Sequence, residues 1–124
     1  MILGVGIDLC EIARMEAALE KPRFAERVFT PAERARLDAV RGKRRAEVAA
    51  GLFAAKEAVA KALGTGFVGF GPWDVEIVPD PAGRPVCRLL NGAAALAEGG
   101  EWTVHVSITH ENGAAAAVAV AEKR

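Results

Sequence analysis

Tyrosine is missing from this chain, and tryptophan and phenylalanine together bring the aromatic content to only 6%. A domain with so little ring area has less apolar surface to bury, and association between copies would help to make up the shortfall. Cysteine is scarce. Cys10 and Cys87 are too few for a disulfide scaffold and lack metal-ligand spacing, so a reducing, cytoplasmic setting is expected. Net charge is absent: sixteen basic side chains balance sixteen acidic ones. That balance argues against general electrostatic capture of nucleic acid or of an anionic membrane. No run of about 18 apolar residues is there to span a bilayer. Met1-Ile2-Leu3-Gly4 has no basic region ahead of an apolar one, so no signal peptide is expected. Internal repeats and low-complexity linkers are also lacking.

What remains is an ordinary globular composition, with 52% hydrophobic and 26% charged residues in 124. This length suits a single domain over 1–124, since neither half would hold a sound core alone. Residues 2–9 alternate: Leu3, Val5, Ile7 and Leu9 point one way, and Ile2, Gly4, Gly6 and Asp8 the other. That predicts a strand with a carboxylate at its exit, on the face left open by two glycines. A helix is expected from about Glu11 to Leu19, with Ile12, Met15 and Leu19 on one stripe, Arg14 facing solvent and Pro22 as the stop. Thr30, Pro31 and Glu33 form the capping box of a second helix, running to about Val40.

The strongest helical signal runs from about Ala46 to Leu63, with Val48, Leu52, Ala55, Val59 and Leu63 on one stripe and Gly64-Thr65-Gly66 as its stop. Two strands, Asp74–Val78 and Val86–Leu90, flank a turn. Asn91 would cap a short helix to Glu98, stopped by Gly99-Gly100. Two further strands, Thr103–Thr109 and Ala114–Ala121, are joined by a turn at His110–Gly113. The order predicts an α+β fold, an antiparallel sheet packed on one long central helix with shorter helices.

Several groups can carry chemistry. Asp8 can cap the following helix through a box with Glu11, or it can ligate a hard cation such as Mg²⁺. Glu57 and Lys61, four apart, form by default a solvated ion pair. Their ridge with Phe53 leads to Gly64 on a helix that a sheet should cover, which leaves little room for idle charge. Glu57 with Asp8 would make a two-carboxylate Mg²⁺ site, and Lys61 would then meet a phosphate. Lys43, Arg44 and Arg45 form either a solvated basic helix entry or an anion site. His105 reads as structural, while His110, in the expected turn, is freer to reach a ligand. Spacing alone supports a candidate Mg²⁺–phosphate site and goes no further.

Four blocks carry a resemblance. Gly6-Ile7-Asp8-Leu9-Cys10-Glu11-Ile12-Ala13-Arg14 resembles the opening signature of the holo-[acyl-carrier-protein] synthases, small 4′-phosphopantetheinyl transferases. Phe29-Thr30-Pro31-Ala32-Glu33 is similar to their second block, and His105-Val106-Ser107-Ile108-Thr109-His110 to their last. The stretch from Phe53 to Gly66, with Lys56-Glu57 and Lys61 inside it, is similar to their central and most specific signature. The blocks come in family order and cover essentially the whole chain.

The resemblance implies transfer of the 4′-phosphopantetheine arm of coenzyme A to a serine of apo acyl carrier protein, releasing 3′,5′-ADP, in the service of fatty acid biosynthesis. It implies a cytoplasmic homotrimer with an active site at each subunit interface. Asp8 and Glu57 would hold Mg²⁺ on the coenzyme A pyrophosphate, and Lys61 would neutralise the same group. Lys43, Arg44, Gly64, Thr109 and His110 would contact coenzyme A, and Arg14 the acidic face of the carrier protein. The proton of the attacking serine would pass to a water on the cation or to Glu57. Two positions depart from the pattern: Leu52 stands where relatives often carry a basic residue, and Ala114 where an aromatic is often seen. A carrier-binding module without catalysis would keep the Arg14 helix and have no need of Asp8 and Glu57, both of which are present. Another trimeric α+β enzyme acting on small phosphorylated ligands would lack the lysine–glutamate signature.

Overall fold

Alternation along the first residues produces β1 (Ile2–Glu11) in the computed structural model, which describes residues 1–97 and 101–123. Three short helices follow: α1 (Ile12–Leu19), α2 (Phe24–Val28) and α3 (Pro31–Asp38). The long helix α4 (Gly42–Ala62) leads through a loop and a 3₁₀ turn (Pro72–Asp74) to the hairpin β2 (Val75–Pro79) and β3 (Pro85–Leu89). The short helix α5 (Asn91–Leu96) precedes the second hairpin, β4 (Trp102–Glu111) and β5 (Ala114–Lys123). The three-stranded antiparallel sheet has the order β1-β5-β4, and β2-β3 forms a separate ribbon. The expected α+β architecture is therefore present. Among the described residues no helix is long and apolar enough to cross a membrane.

One part of the core is a close seam between α4 and the sheet. Gly4 and Gly6 lie against α4, where an added Cβ would come within 2.1 Å of the Ala62 carbonyl oxygen and 1.9 Å of that of Ala58. The glycine face of β1 is thus not open, as the alternation alone suggests; it is the seat of the helix. Strand β5 offers Ala115, Ala117, Ala119 and Ala121 to the same seam, all buried. Small side chains on both surfaces let the two backbones approach closely. Side chains on α4 are buried on most sides, because the sheet covers one flank and α1, α3 and β2 pack on others.

A second anchor joins α3, α4 and β2. The Thr30–Glu33 capping box forms as the sequence predicts. Glu33 does more than cap: its Oε1 pairs with Lys56 Nζ at 2.6 Å, and its Oε2 accepts from the Ile77 amide at 2.7 Å. Lys56 Nζ also donates to the carbonyls of Pro72 and Val75. All three donors of this fully buried ammonium are therefore used, which offsets the cost of removing it from water. Burial still pulls the Lys56 ammonium below its ordinary range, against the opposing pull of Glu33.

Several boundaries differ from the sequence expectation. Helix α2 is additional; it is too short for periodicity to show and is held by an edge-on contact of Phe24 with Phe29. Helix α4 begins at Gly42, not Ala46, so Lys43, Arg44 and Arg45 lie in its first turns. Asn91 does not cap α5: Leu90 is the N-cap, and Asn91 adopts φ +48° and donates to Asp74 Oδ1 at 2.8 Å. The expected helix end at Glu98 and stop at Gly99-Gly100 lie outside the described residues. The last turn is only Asn112-Gly113, both with positive φ (51° and 79°), as a two-residue hairpin demands. His110 and Glu111 therefore belong to β4 and not to the turn, while Thr109 lies in the strand as expected.

Candidate active site

Strand β1 and helix α4 bring together residues nearly fifty apart. Asp8 pairs with Ala117 of β5, which pairs in turn with Ile108 of β4, so all three project toward α4. Lys61 Nζ reaches Asp8 Oδ1 at 3.1 Å and the carbonyl of Ile7 at 2.9 Å. The solvated Glu57–Lys61 pair expected by default is replaced by this cross-element contact. The capping role for Asp8 does not occur: Glu11 is the N-cap of α1 and no side chain caps it.

Glu57 lies one turn before Lys61 on the same ridge. Partial burial pushes its carboxyl above the usual range, the Asp8 charge pushes it further, and Lys61 opposes both. Glu57 thus feels Asp8 and Lys61 together, as members of one cluster. Cys10 is also held above its ordinary value, by burial first and then by Asp8. Gly64 closes this end of α4 with φ +89° and donates its amide to the Lys61 carbonyl at 3.0 Å.

Two half-buried carboxylates beside an ammonium suit a hard divalent cation, since Mg²⁺ takes one or two carboxylates and completes its shell with water and substrate phosphates. Among the described residues no group of three or more His, Cys, Asp or Glu side chains is placed to hold a metal. Asp8 and Glu57 fit Mg²⁺ as a pair that leaves most of the shell to oxygen atoms from outside the chain.

The other sequence candidates separate. Arg14 is exposed and lines a recess of about 260 Å³ with Cys10, Met15, Phe24 and Phe53. Phe53 stands one turn before Glu57, so this recess adjoins the carboxylates. Arg44 and His110 meet in another recess, of about 160 Å³, where His110 Nδ1 faces Glu47 Oε2 at 3.6 Å. Lys43 turns to a different side of α4, beside Glu16 and Glu20. Thr109 is exposed on the opposite face of the sheet from Asp8. His105 is also outward and pairs with Glu122 at 3.7 Å.

Arg44 precedes Glu57 by thirteen residues on α4, a rise of about 20 Å. That is wider than the spacing of phosphates within one nucleotide. Sequence reasoning passed over Arg36 and Glu47, which line the Arg44 recess: α3 shows no motif past its capping box, and Glu47 of α4 lies off the apolar stripe. Lys56 was visible only as part of a signature, although its place beside Glu57 marks the point where α4 is pinned.

An α+β fold with carboxylates from a first strand and a central helix defines a class, and the comparisons agree with it. Residues 4–120 match the family described as the 4′-phosphopantetheinyl transferase superfamily. A holo-[acyl-carrier-protein] synthase of Solidesulfovibrio magneticus is 52% identical, covering 98% of this chain and 99% of that one. The holo-(acyl-carrier-protein) synthase of Bacillus anthracis, solved in complex with CoA (3′,5′-ADP), superposes with a TM-score of 0.87 at 38% identity, over 100% of this chain and 99% of that one. That of Neisseria meningitidis superposes with a TM-score of 0.89 at 32% identity, over 99% and 100%. The chain belongs to the 4′-phosphopantetheinyl transferase superfamily, as an enzyme of its holo-[acyl-carrier-protein] synthase family.

Proposed function

We propose that this enzyme transfers the 4′-phosphopantetheine arm of coenzyme A to a serine of apo acyl carrier protein in the cytoplasm, leaving 3′,5′-ADP and supplying holo carrier for fatty acid biosynthesis. The observation that carries the reading is the contact of Lys61 with Asp8 at 3.1 Å, with Glu57 under the influence of both. It joins the most specific blocks of the sequence at one place. The match to holo-[acyl-carrier-protein] synthases over nearly the full length supports the same substrates.

In this reading Asp8 and Glu57 hold Mg²⁺. When bound, the ion supplies positive charge to the pyrophosphate. Lys61 neutralises the same oxygens, and its second contact, to the Ile7 carbonyl, fixes the ammonium near Asp8. The serine oxygen forms a bond to the phosphorus that bears pantetheine, its proton passes to water or to Glu57, and the P–O bond to 3′,5′-ADP breaks. Charge grows on the leaving bisphosphate, so a fixed ammonium stabilises the transition state more than the ground state. Gly64 leaves the end of α4 free of a side chain, giving the donor room. Arg44 and His110 bind the nucleotide end, whereas Lys43, beside Glu16 and Glu20, and Thr109, on the opposite face of the sheet, lie apart from that recess. Arg14, on the rim of the recess beside Phe53, meets the acidic carrier.

The working form is a homotrimer. Leu3, Val5, Ile7 and Leu9 are 37%, 61%, 67% and 66% exposed on one face of β1, a contiguous apolar strip of the kind that marks an interface. Separation of Arg44 from Glu57 along α4 supports a site shared between copies, in which one subunit's Arg44 end serves the carboxylates of the next.

Incubation with coenzyme A, Mg²⁺ and an apo carrier protein tests the function. The carrier should gain the mass of one phosphopantetheine, and Asp8→Ala and Glu57→Ala should abolish the gain at saturating Mg²⁺ while melting like wild type. Full activity in either variant would remove the metal-site assignment. No mass gain with the wild-type enzyme would remove the function.

A further inference from the structure

Helix α4 is held on its two sides by different means. Toward the sheet it presents Gly51, Ala58 and Ala62, which lie against Ile108 of β4 and against Gly6 and Gly4 of β1. The buried residues of β5 are all alanine. Bare backbone and methyl groups make shallow ridges, and interlocking of ridges with grooves is what fixes the angle at which a helix sits. Such a seam lets α4 approach closely but sets its rotation only weakly.

The other side carries one fully buried ion pair. Lys56 Nζ meets Glu33 Oε1 at 2.6 Å. The ammonium also donates to the carbonyls of Pro72 and Val75, and Glu33 accepts from the amides of Thr30 and Ile77. Helices α3 and α4, the 3₁₀ turn and β2 are thus tied at one point by bonds of fixed direction. A buried pair of this kind adds little net stability over an apolar replacement, because both ions must leave water. What it supplies is geometry, since turning α4 about its axis pulls the ammonium off one of its three acceptors. Glu57 follows Lys56 directly, and Lys61 lies little more than a turn beyond. Rotation of α4 by about 20° would carry a side-chain tip about 2 Å, given a helix radius of about 5–6 Å with side chains. The 3.1 Å contact of Lys61 with Asp8 would not survive such a shift.

We propose that Lys56 and Glu33 are positioning residues: their buried pair fixes the rotation of α4 and so delivers Glu57 and Lys61 to Asp8. The inference rests on the reading of that cluster as the reactive site. Simple glue between elements would make activity follow the folded fraction, whereas a positioning pair makes activity fall in protein that is still folded.

Glu33→Gln combined with Lys56→Met removes both charges and leaves neither ion unpaired. The double variant should keep the wild-type circular dichroism spectrum and melt cooperatively. Its kcat at saturating Mg²⁺ should fall by at least about tenfold, as misplacement on the ångström scale predicts. KM for the carrier should stay within about twofold, since Arg14 lies on α1. Calorimetric titration with Mg²⁺ alone should show binding weakened by roughly tenfold, the effect of a loosened supporting shell. Glu33→Gln by itself leaves Lys56 its two carbonyls, and it carries the same measurements if the double variant does not fold. A folded variant with wild-type kcat and wild-type Mg²⁺ affinity overturns the assignment, as does a fall in kcat matched by an equal rise in KM for the carrier. If the wild-type enzyme transfers nothing from coenzyme A, the functional reading falls. The Mg²⁺ titration then decides the pair separately: undiminished affinity in the double variant overturns its positioning role, and weakened affinity upholds it.

Discussion

Arg14 and Asp8 belong to the same signature block yet serve different partners in the proposed reaction. Arg14 is exposed at the rim of an apolar recess, with no ion pair among the described residues. A charge in that position steers and orients an acidic protein more than it binds a nucleotide. Arg14→Glu should raise KM for the carrier by roughly tenfold and leave KM for coenzyme A within about twofold; equal rises would place the docking surface elsewhere. Cys87 offers a separate check on packing. Burial pushes its thiol up to about 12 from an ordinary value of 9.0. The raised value means that its contribution to stability is complete below about pH 9 and is lost as pH climbs toward 12. Iodoacetamide at pH 8 should therefore modify Cys10 before Cys87, and mass spectrometry of the two peptides decides it. Asp8, Glu57 and Lys61 were legible in the sequence because their identities and spacing carry chemistry. Arg36 and Glu47 were not, since a single charge on a helix looks the same whether it faces water or a cavity.

At the scale of elements, the alternation of β1 and the glycine stop of α4 were readable because each follows from local sterics. The docking of the two was only half readable. Glycines at positions 4 and 6 announced a missing side-chain layer, but whether that layer served a ligand or a helix depended on a partner far along the chain. The structure places α4 there. Gly6→Ala would drive a methyl to 1.9 Å from the Ala58 carbonyl oxygen, which backbone must move to accommodate. Denaturant unfolding should show a loss of roughly 1–3 kcal/mol, with the Asp8–Lys61 contact among the first to suffer. A variant as stable as wild type would mean that the seam is looser than described. The start of α4 was misjudged for another reason. Lys43, Arg44 and Arg45 are good helix formers and lie within its first turns, but none is apolar, so the stripe that marks the helix shows only from Val48 onward.

For the whole molecule, the sequence forecast an α+β domain short of aromatic area, and the face of β1 carrying Val5 and Ile7 is where the shortfall shows. Val5→Lys should convert a trimer to a monomer by light scattering, with secondary structure retained by circular dichroism and transfer lost in parallel. An active monomer would refute the sharing of sites between copies. The alanine and glycine seam of α4, β1 and β5 also has a thermal consequence. Methyl groups and bare backbone withdraw little apolar surface from water per residue, and such surface is the source of the heat-capacity increment of unfolding. A lone subunit should accordingly respond weakly to temperature over a broad range, and in the proposed trimer much of the calorimetric curvature should arise where the copies meet.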